Sequence, residues 1–468
     1  MSQPQSAFSP ETYSARRRAL AGAVGDGLIV LPGNAAAPMN YAANVYSFRQ
    51  DGSFLYYAGL DEPGLALTID AATGESTLYG YDPTMDDVVW EGHAESLASR
   101  AGRAGADRAA PADALAGDAA AARRAGRAVH VLPPYRGDTR LLLAGLLNAP
   151  TGELPGSPAL IDAVIAQRLV KSDDEVAELE VALDLTAQMH LAAMRLAQPG
   201  RTEFEVAAAL EEVAGAAGSY PSFPIILTRK GEVLHGQPRL GATFEAGDLM
   251  LTDAGAVSPV GRYAGDITRV SPVGGRFSER QRGVYDAVLR GQMAAIDAVR
   301  PGVPFREVHD LTAQIMVEGL VDLGVMRGDP AEAVAAGAHT LFFVHGLGHA
   351  LGLDVHDCEA LGEDRVGYDE EFKRSTEFGT RFLRFARRLK PGYVMTVEPG
   401  LYFIDPLIDQ WKAAGTHAAF IDYDEIEHWR GLGGVRIEDD VLVTETGVRV
   451  LGPGIPKVAS EVEMVVTG

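Results

Sequence analysis

The chain is 468 residues long, more than one core usually serves, so two domains are expected. Its 47 % hydrophobic and 22 % charged residues are ordinary for a globular protein. A formal net charge of −23 argues against nucleic acid or an anionic membrane as partner, and the single cysteine, Cys358, excludes an intramolecular disulfide and fits a reducing compartment.

At the N-terminus, MSQPQSAFSPETYSARRRAL sets its basic cluster after a polar stretch, and AGAVGDGLIVLPG is too broken by Gly and Asp for a signal segment. No run of 18 or more apolar residues occurs, so no membrane span is expected and a cytoplasmic location is the default. A helical pattern near 10–23 precedes the strand-like runs GLIVLPG, SFLYYAGL, LALTID and STLYGY. An Ala-rich helical stretch over about 105–125 and the strand AVHVLPP follow. This alternation predicts a smaller α/β domain. The Pro- and Gly-bearing NAPTGELPGSP is its expected exit, giving domains 1–155 and 156–468.

The second part carries a weak internal repeat. Ser172 and Glu175 form a capping box that opens a helix running to Gln198, closed by Pro199-Gly200, after which Thr202 and Glu205 form another. Ser278 and Gln281 open a second long helix, closed by Pro301-Gly302 and followed by a helical pattern over 304–323. Strand-like runs follow each pair. Two helix-PG-helix-strand halves predict an α+β domain in which two sheets flank a shared cleft.

Within the first set of strands, LMLTDAGAV and GRYAGDITRV flank the turn Ser258-Pro259-Val260-Gly261. A turn centred between Pro259 and Val260 sets Asp253 directly opposite Asp266. Opposed side chains have Cβ atoms about 4.5–5.5 Å apart, where like charges repel. A cation between them is the simplest reason to keep the pair; the bland alternative is two solvated acids that happen to align. FFVHGLGHALGLDVHD then supplies His345, His349 and His356, without the HExxH pattern of zinc proteases. YVMTVEPG ends in Glu398. GGVRIEDD places Arg436 and Glu438 on one face at period two, which alone could be a simple ion pair.

Asp253, Asp266, Glu398 and Glu438 converging in one cleft would raise one another's pKa values unless neutralised. Two divalent cations would bring the set close to neutrality. Oxygen-rich donors with one imidazole, His349, suit Mn2+ first, with Co2+ or Zn2+ as alternatives. Two such ions about 3.5–4 Å apart activate water and polarise the carbonyl it attacks.

The order DAG, GDITR, HGLGH, VEPG, VRIEDD resembles the "pita-bread" metallopeptidases: methionine aminopeptidase, aminopeptidase P and prolidase. The resemblance implies a curved antiparallel sheet with pseudo-twofold symmetry and Asp253, Asp266, His349, Glu398 and Glu438 as metal ligands. It also implies that His235, in EVLHGQP, His356 and His345 lie on the substrate side; Arg436 is expected with the substrate-binding groups, orienting the carboxylates from behind. RQDGSFLYYAGLDEP and YDPTMDDVVWEG are similar to the N-terminal domain that prolidases and aminopeptidases P carry. That narrows the expected substrate to peptides with proline in second position. It further implies a homodimer, in which Trp90 approaches a substrate site unless it is simply a core residue.

The run LRFARRLKPG places Arg384 fourteen residues before Glu398, where prolidases carry an arginine that binds the free carboxylate of proline. LYFIDPLIDQW is also closer to prolidase. The preferred expectation is therefore an Xaa-Pro dipeptidase with Glu398, His235 and His356 in the chemistry; the alternative is aminopeptidase P. PIILTRKGEVLHG is about two residues shorter than the family's loop, and the Asp253–Asp266 spacing is wider than usual, which bears on substrate preference. Two rivals complete the set: an organophosphate-hydrolysing side activity, and a metal-free creatinase-like binding module, against which the presence of all five ligands counts.

Overall fold

The computed structural model describes residues 6–92 and 95–468. The chain divides into two compact units, Met1–Arg168 with Cys358–Arg365, and Leu169–Asp357 with Val366–Gly468.

In the first unit a five-stranded mixed sheet runs in the order Arg108–Pro111, Ser76–Gly80, Ala66–Asp70, Leu28–Pro32, Val129–His130, with antiparallel pairing at the centre and parallel pairing at both edges. Helix Pro10–Val24 begins where Ser9 accepts from Thr12 N and Pro10 supplies a preset first turn. Two expectations are corrected here. SFLYYAGL is not a strand but the helix Gly52–Ala58, capped by Asp51, whose side chain accepts from Phe54 N, and stopped by Gly59 at φ 65. All seven helical residues are buried, so no polar face marks the helical period. The Ala-rich stretch is helical only over Ala114–Arg124; before it, Arg108–Pro111 is an edge strand of the sheet. Trp90 is 86 % exposed and so is no core residue of this chain.

The second unit realises the repeat. Helices Asp173–Leu196 and Glu203–Ala216 pack together, as do Glu279–Ala298 and Phe305–Asp322. The capping boxes at Ser172, Thr202 and Ser278 all form. The first helix pair leads into the sheet Ile226–Arg229, Leu249–Ala254, Ile267–Pro272. The second leads to Val394–Val397 with Asp439–Val443 and Val448–Val450, and to Gly400–Tyr402 with Gly434–Arg436. Backbone bonds join the halves: Glu438 N donates to Thr268 O at 3.1 Å, and Gly434 N to Lys230 O at 2.6 Å. Val284, Tyr285, Met316, Leu320, Phe342 and Leu401 belong to the large apolar core of this unit. No helix among the described residues is long and apolar enough to cross a membrane.

His309 and His339 lie buried, their rings 6.4 Å apart in edge contact, and neither nitrogen of His309 has a hydrogen-bond partner. Burial lowers both, His339 to about 4 and His309 further. An unfolded histidine titrates near 6.5, so below that pH the unfolded chain takes up protons that the folded chain refuses. Stability is therefore expected to fall as pH drops from about 6.5 towards about 4, each unit of depression contributing about 1.4 kcal/mol. Chemical denaturation across that range should show a shallower fall for His309→Phe than for the natural protein.

Candidate metal centre

A cleft of about 790 Å³ in the second unit is lined by all ten side chains singled out above: His235, Asp253, Asp266, His345, His349, His356, Arg384, Glu398, Arg436 and Glu438. Phe223, Ile226, Leu234, Phe378, Phe382 and Leu407 form its apolar walls.

The hairpin that carries the two aspartates differs in register from the expected one. Ser258 N donates to Tyr263 O at 2.8 Å, and Arg262 adopts φ 62. The loop therefore holds four residues, 259–262, instead of a two-residue centre, and Asp253 pairs with Thr268. Asp266 lies just ahead of strand Ile267–Pro272, diagonal to Asp253 on the same face, and the two carboxylates still repel.

Asp266, His349 and Glu438 each place one donor atom within 4.8 Å of the others, and all three are buried. His349 Nε2 lies 3.4 Å from Asp266 Oδ2 and 3.6 Å from Glu398 Oε1. Its Nδ1 faces Ala350 O at 3.1 Å, which leaves Nε2 as the lone-pair side. Gly348 makes this approach possible, since a Cβ there would lie 2.1 Å from Thr396 O. Gly348→Ala is accordingly expected to displace His349 and weaken divalent-ion binding by about 10–100-fold, read by metal titration of the folded variant.

Arg436 organises the back of the cleft. Its Nη2 donates to Asp253 Oδ2 at 2.6 Å, its Nη1 to Tyr402 Oη at 2.8 Å, and its Nε to Thr268 Oγ1 at 2.9 Å. Thr268 in turn donates to Glu438 Oε2 at 2.6 Å. Arg436 is thus salt-bridged to Asp253 and reaches its neighbour Glu438 through a hydroxyl. Tyr402 Oη, accepting from Arg436, donates to His345 Nε2 at 2.9 Å, while His345 Nδ1 faces Gly346 O at 2.7 Å. Burial pushes His345 down to about 3, so it is a neutral ring held on both nitrogens. Tyr402, Thr268 and Thr396, which bonds both His349 N and Glu398 Oε1, were not singled out from sequence. Thr268 and Thr396 lie two positions from Asp266 and Glu398, so period-two reading of the strands could have found them; Tyr402 carried no such signal.

His356 stacks on His349 with centroids 3.8 Å apart and planes 12° from parallel. His235 is exposed beside the cleft; partial shielding from water, then Arg436, lowers its pKa. Burial raises Asp266 and Glu438 well above the carboxylate range, with added repulsion from Asp253 on Asp266 and from Asp266 on Glu438. Burial also raises Glu398. Asp253 Oδ1 is buried without a hydrogen-bond partner. Clustered, proton-hungry carboxylates, one orphaned carboxylate oxygen and one imidazole with its Nε2 presented are the donor chemistry of a hard divalent cation, and these residues fit one.

A metal-dependent hydrolase centre is the class that this fold and cleft define. Residues 177–445 match the profile of metallopeptidase family M24, and residues 13–130 that of the aminopeptidase P N-terminal domain. The chain is 32 % identical to the human protein named Xaa-Pro dipeptidase over 445 residues, covering 90 % of this chain and 85 % of that one. It is 32 % identical to the Xaa-Pro aminopeptidase of Escherichia coli K12 over 471 residues, covering 98 % of both. A variant of E. coli aminopeptidase P solved in complex with substrate superposes with a TM-score of 0.80 at 30 % identity, covering 98 % of each chain. The aminopeptidase PepP of Pseudomonas aeruginosa does so at 0.79, 31 % identity and the same coverage. The chain belongs to metallopeptidase family M24 and has its pita-bread fold behind an aminopeptidase P-type N-terminal domain.

Proposed function

We propose that this metallopeptidase cleaves the Xaa-Pro bond of dipeptides, releasing proline. The observation that carries the reading is the place of Arg384, which lines the same cleft as the carboxylates and whose charge bears on both His235 and Glu398. A planar guanidinium beside the reacting centre suits a carboxylate gripped by two hydrogen bonds. That is the group a dipeptide presents next to its scissile bond and a longer peptide does not.

In this reading Asp253, Asp266, His349, Glu398 and Glu438 hold two divalent ions, Mn2+ first, in a cytoplasmic homodimer. When bound, the ions supply Lewis acidity towards the scissile carbonyl and lower the pKa of water. Glu398 accepts the proton released on attack and passes it to the proline nitrogen as the bond breaks. His235 and His356 donate to the oxygen on which charge develops, worth about 3–4 kcal/mol for a well-placed donor. Arg436 keeps Asp253 and, through Thr268, Glu438 turned towards the cleft.

A second reading, aminopeptidase P acting on Xaa-Pro-Yaa peptides, is favoured by one observation: the E. coli Xaa-Pro aminopeptidase aligns along 98 % of both chains, against 90 % and 85 % for the human dipeptidase. Parallel assays of Xaa-Pro dipeptides and Xaa-Pro-Yaa tripeptides with added Mn2+ separate the two. Dipeptide preference is expected, and tripeptide preference would transfer the assignment. Metal analysis after loading should give about two equivalents per chain; less than one would sink the dinuclear assignment.

A further inference from the structure

We infer that the hydroxyl of Thr396 presets the metal pocket, holding the Glu398 carboxylate beside His349 before an ion binds; this rests on the ligand roles given to both residues above.

Thr396 is fully buried in strand Val394–Val397, and Glu398 follows two positions later on the same face. Residues 347–349 run beside this segment: Thr396 N donates to His349 O at 3.0 Å, and Glu398 N to Leu347 O at 2.9 Å. His349 N donates to Thr396 Oγ1, also at 3.0 Å. An amide N–H can only donate, so the hydroxyl accepts there and its single hydrogen is left for another acceptor. Glu398 Oε1, 3.3 Å away, takes it. The direction of the chain is thus fixed, from His349 N–H through the Thr396 hydroxyl to Glu398 Oε1.

Among the described residues Thr396 Oγ1 is the one hydrogen-bond donor to the Glu398 carboxylate. His349 Nε2, 3.6 Å from Oε1, and His345 Nδ1, 3.9 Å from Oε2, lie beyond hydrogen-bond distance. The last side-chain torsion of a glutamate is broad, so the side chain does not choose an orientation by itself. With the hydroxyl in place, Oε1 is kept on the His349 side of the pocket. Without it the carboxylate can turn, and an ion has to order it on binding, which subtracts from affinity. His349 loses less, because its carbonyl keeps the bond from Thr396 N and its Nδ1 still faces Ala350 O. Thr396 therefore acts through Glu398, although it is itself no ligand.

Mn2+ titration of the full-length, metal-free protein is the test. Thr396→Val, which keeps the shape and removes the hydroxyl, is expected to weaken Mn2+ binding by about 10–100-fold, and Thr396→Ser to restore most of it. Once ions are bound, Glu398 is held from their side as well, so the loss appears in metal affinity more than in kcat at saturating Mn2+. In a Glu398→Ala background, Thr396→Val should change Mn2+ affinity by less than about threefold. An affinity of Thr396→Val within about threefold of the natural protein, no rescue by serine, or an equal loss in the Glu398→Ala background overturns the positioning role. A metal-free crystal structure of Thr396→Val should show the Glu398 carboxylate turned from its place 3.6 Å from His349 Nε2; a carboxylate that has not moved overturns the role as well. Should Thr396→Val fail to fold, Thr396→Cys, whose thiol is a weak donor, carries the same comparisons. Absence of Xaa-Pro cleavage by the natural protein would instead sink the substrate reading, and the titrations and the carboxylate position would still decide the part played by Thr396.

Discussion

Glu398→Gln is expected to yield a folded protein whose turnover of an Xaa-Pro dipeptide falls by about 10²–10⁴-fold or more, the range for losing a general acid–base group. The side chain keeps its shape and can still accept from Thr396 Oγ1, which lies 3.3 Å from Oε1. Its charge and its capacity to carry a proton are gone. Glu398 faces the open side of the site, its side chain 18 % exposed against 11 % for Asp253, 7 % for Asp266 and 4 % for His349, so of these it is best placed to meet substrate. Stability should move the other way. Burial disfavours the Glu398 charge in the metal-free protein and raises its pKa, and the amide carries no charge to desolvate. A thermal melt without added metal should thus show an equal or higher midpoint for the variant, while kcat with Mn2+ collapses. Turnover within tenfold of the natural protein would take Glu398 out of the chemistry.

What could be read in the sequence, and what could not, divides along the range of the interactions. The capping boxes at Ser172, Thr202 and Ser278 are closed within four residues, so their residues alone announce the helix starts. The Gly52–Ala58 helix is equally local, but its periodicity is hidden because every side chain is buried. Register failed for another reason. The 258–263 turn spends two more residues than the sequence reading allowed, with Ser258 Oγ accepting from Tyr263 N at 3.2 Å and Glu178 Oε2 from Gly261 N at 3.0 Å. The second of these partners lies on a distant helix, and no local rule supplies it. The consequence was modest, because a two-residue shift leaves both aspartates on the same face.

The inner site was legible because five motifs supply its polar side chains directly. The layer behind it was not. Tyr402 meets His345 and Arg436 across 57 and 34 positions, and Thr268 meets Glu438 across 170. Each of these residues is unremarkable where it stands in the chain; folding gives it a charged or aromatic partner to hold in place. Sequence motifs name the groups that do chemistry, whereas the groups that aim them are set by tertiary contact.

Arg384→Ala is the second variant with a large expected effect, because it separates recognition from hydrolysis. If the guanidinium grips the proline carboxylate, its removal should weaken dipeptide processing by about 2–5 kcal/mol, the usual loss when one partner of a shielded charge pair is truncated. That is more than tenfold in kcat/KM. An Xaa-Pro-Yaa tripeptide has an amide where the dipeptide has its carboxylate, so its slow cleavage should change far less, and the ratio of the two kcat/KM values should shift towards the tripeptide. Arg384→Lys should restore only part of the dipeptide rate, since an ammonium offers a point charge in place of a planar pair of donors. Metal content should stay constant throughout, for Arg384 is not among the proposed ligands. A fall in kcat/KM of equal size for dipeptide and tripeptide would mean that Arg384 acts on the electrostatics of Glu398 and not on the substrate. Unchanged dipeptide turnover would remove its role altogether, and with it the physical reason for preferring the dipeptidase reading over aminopeptidase P.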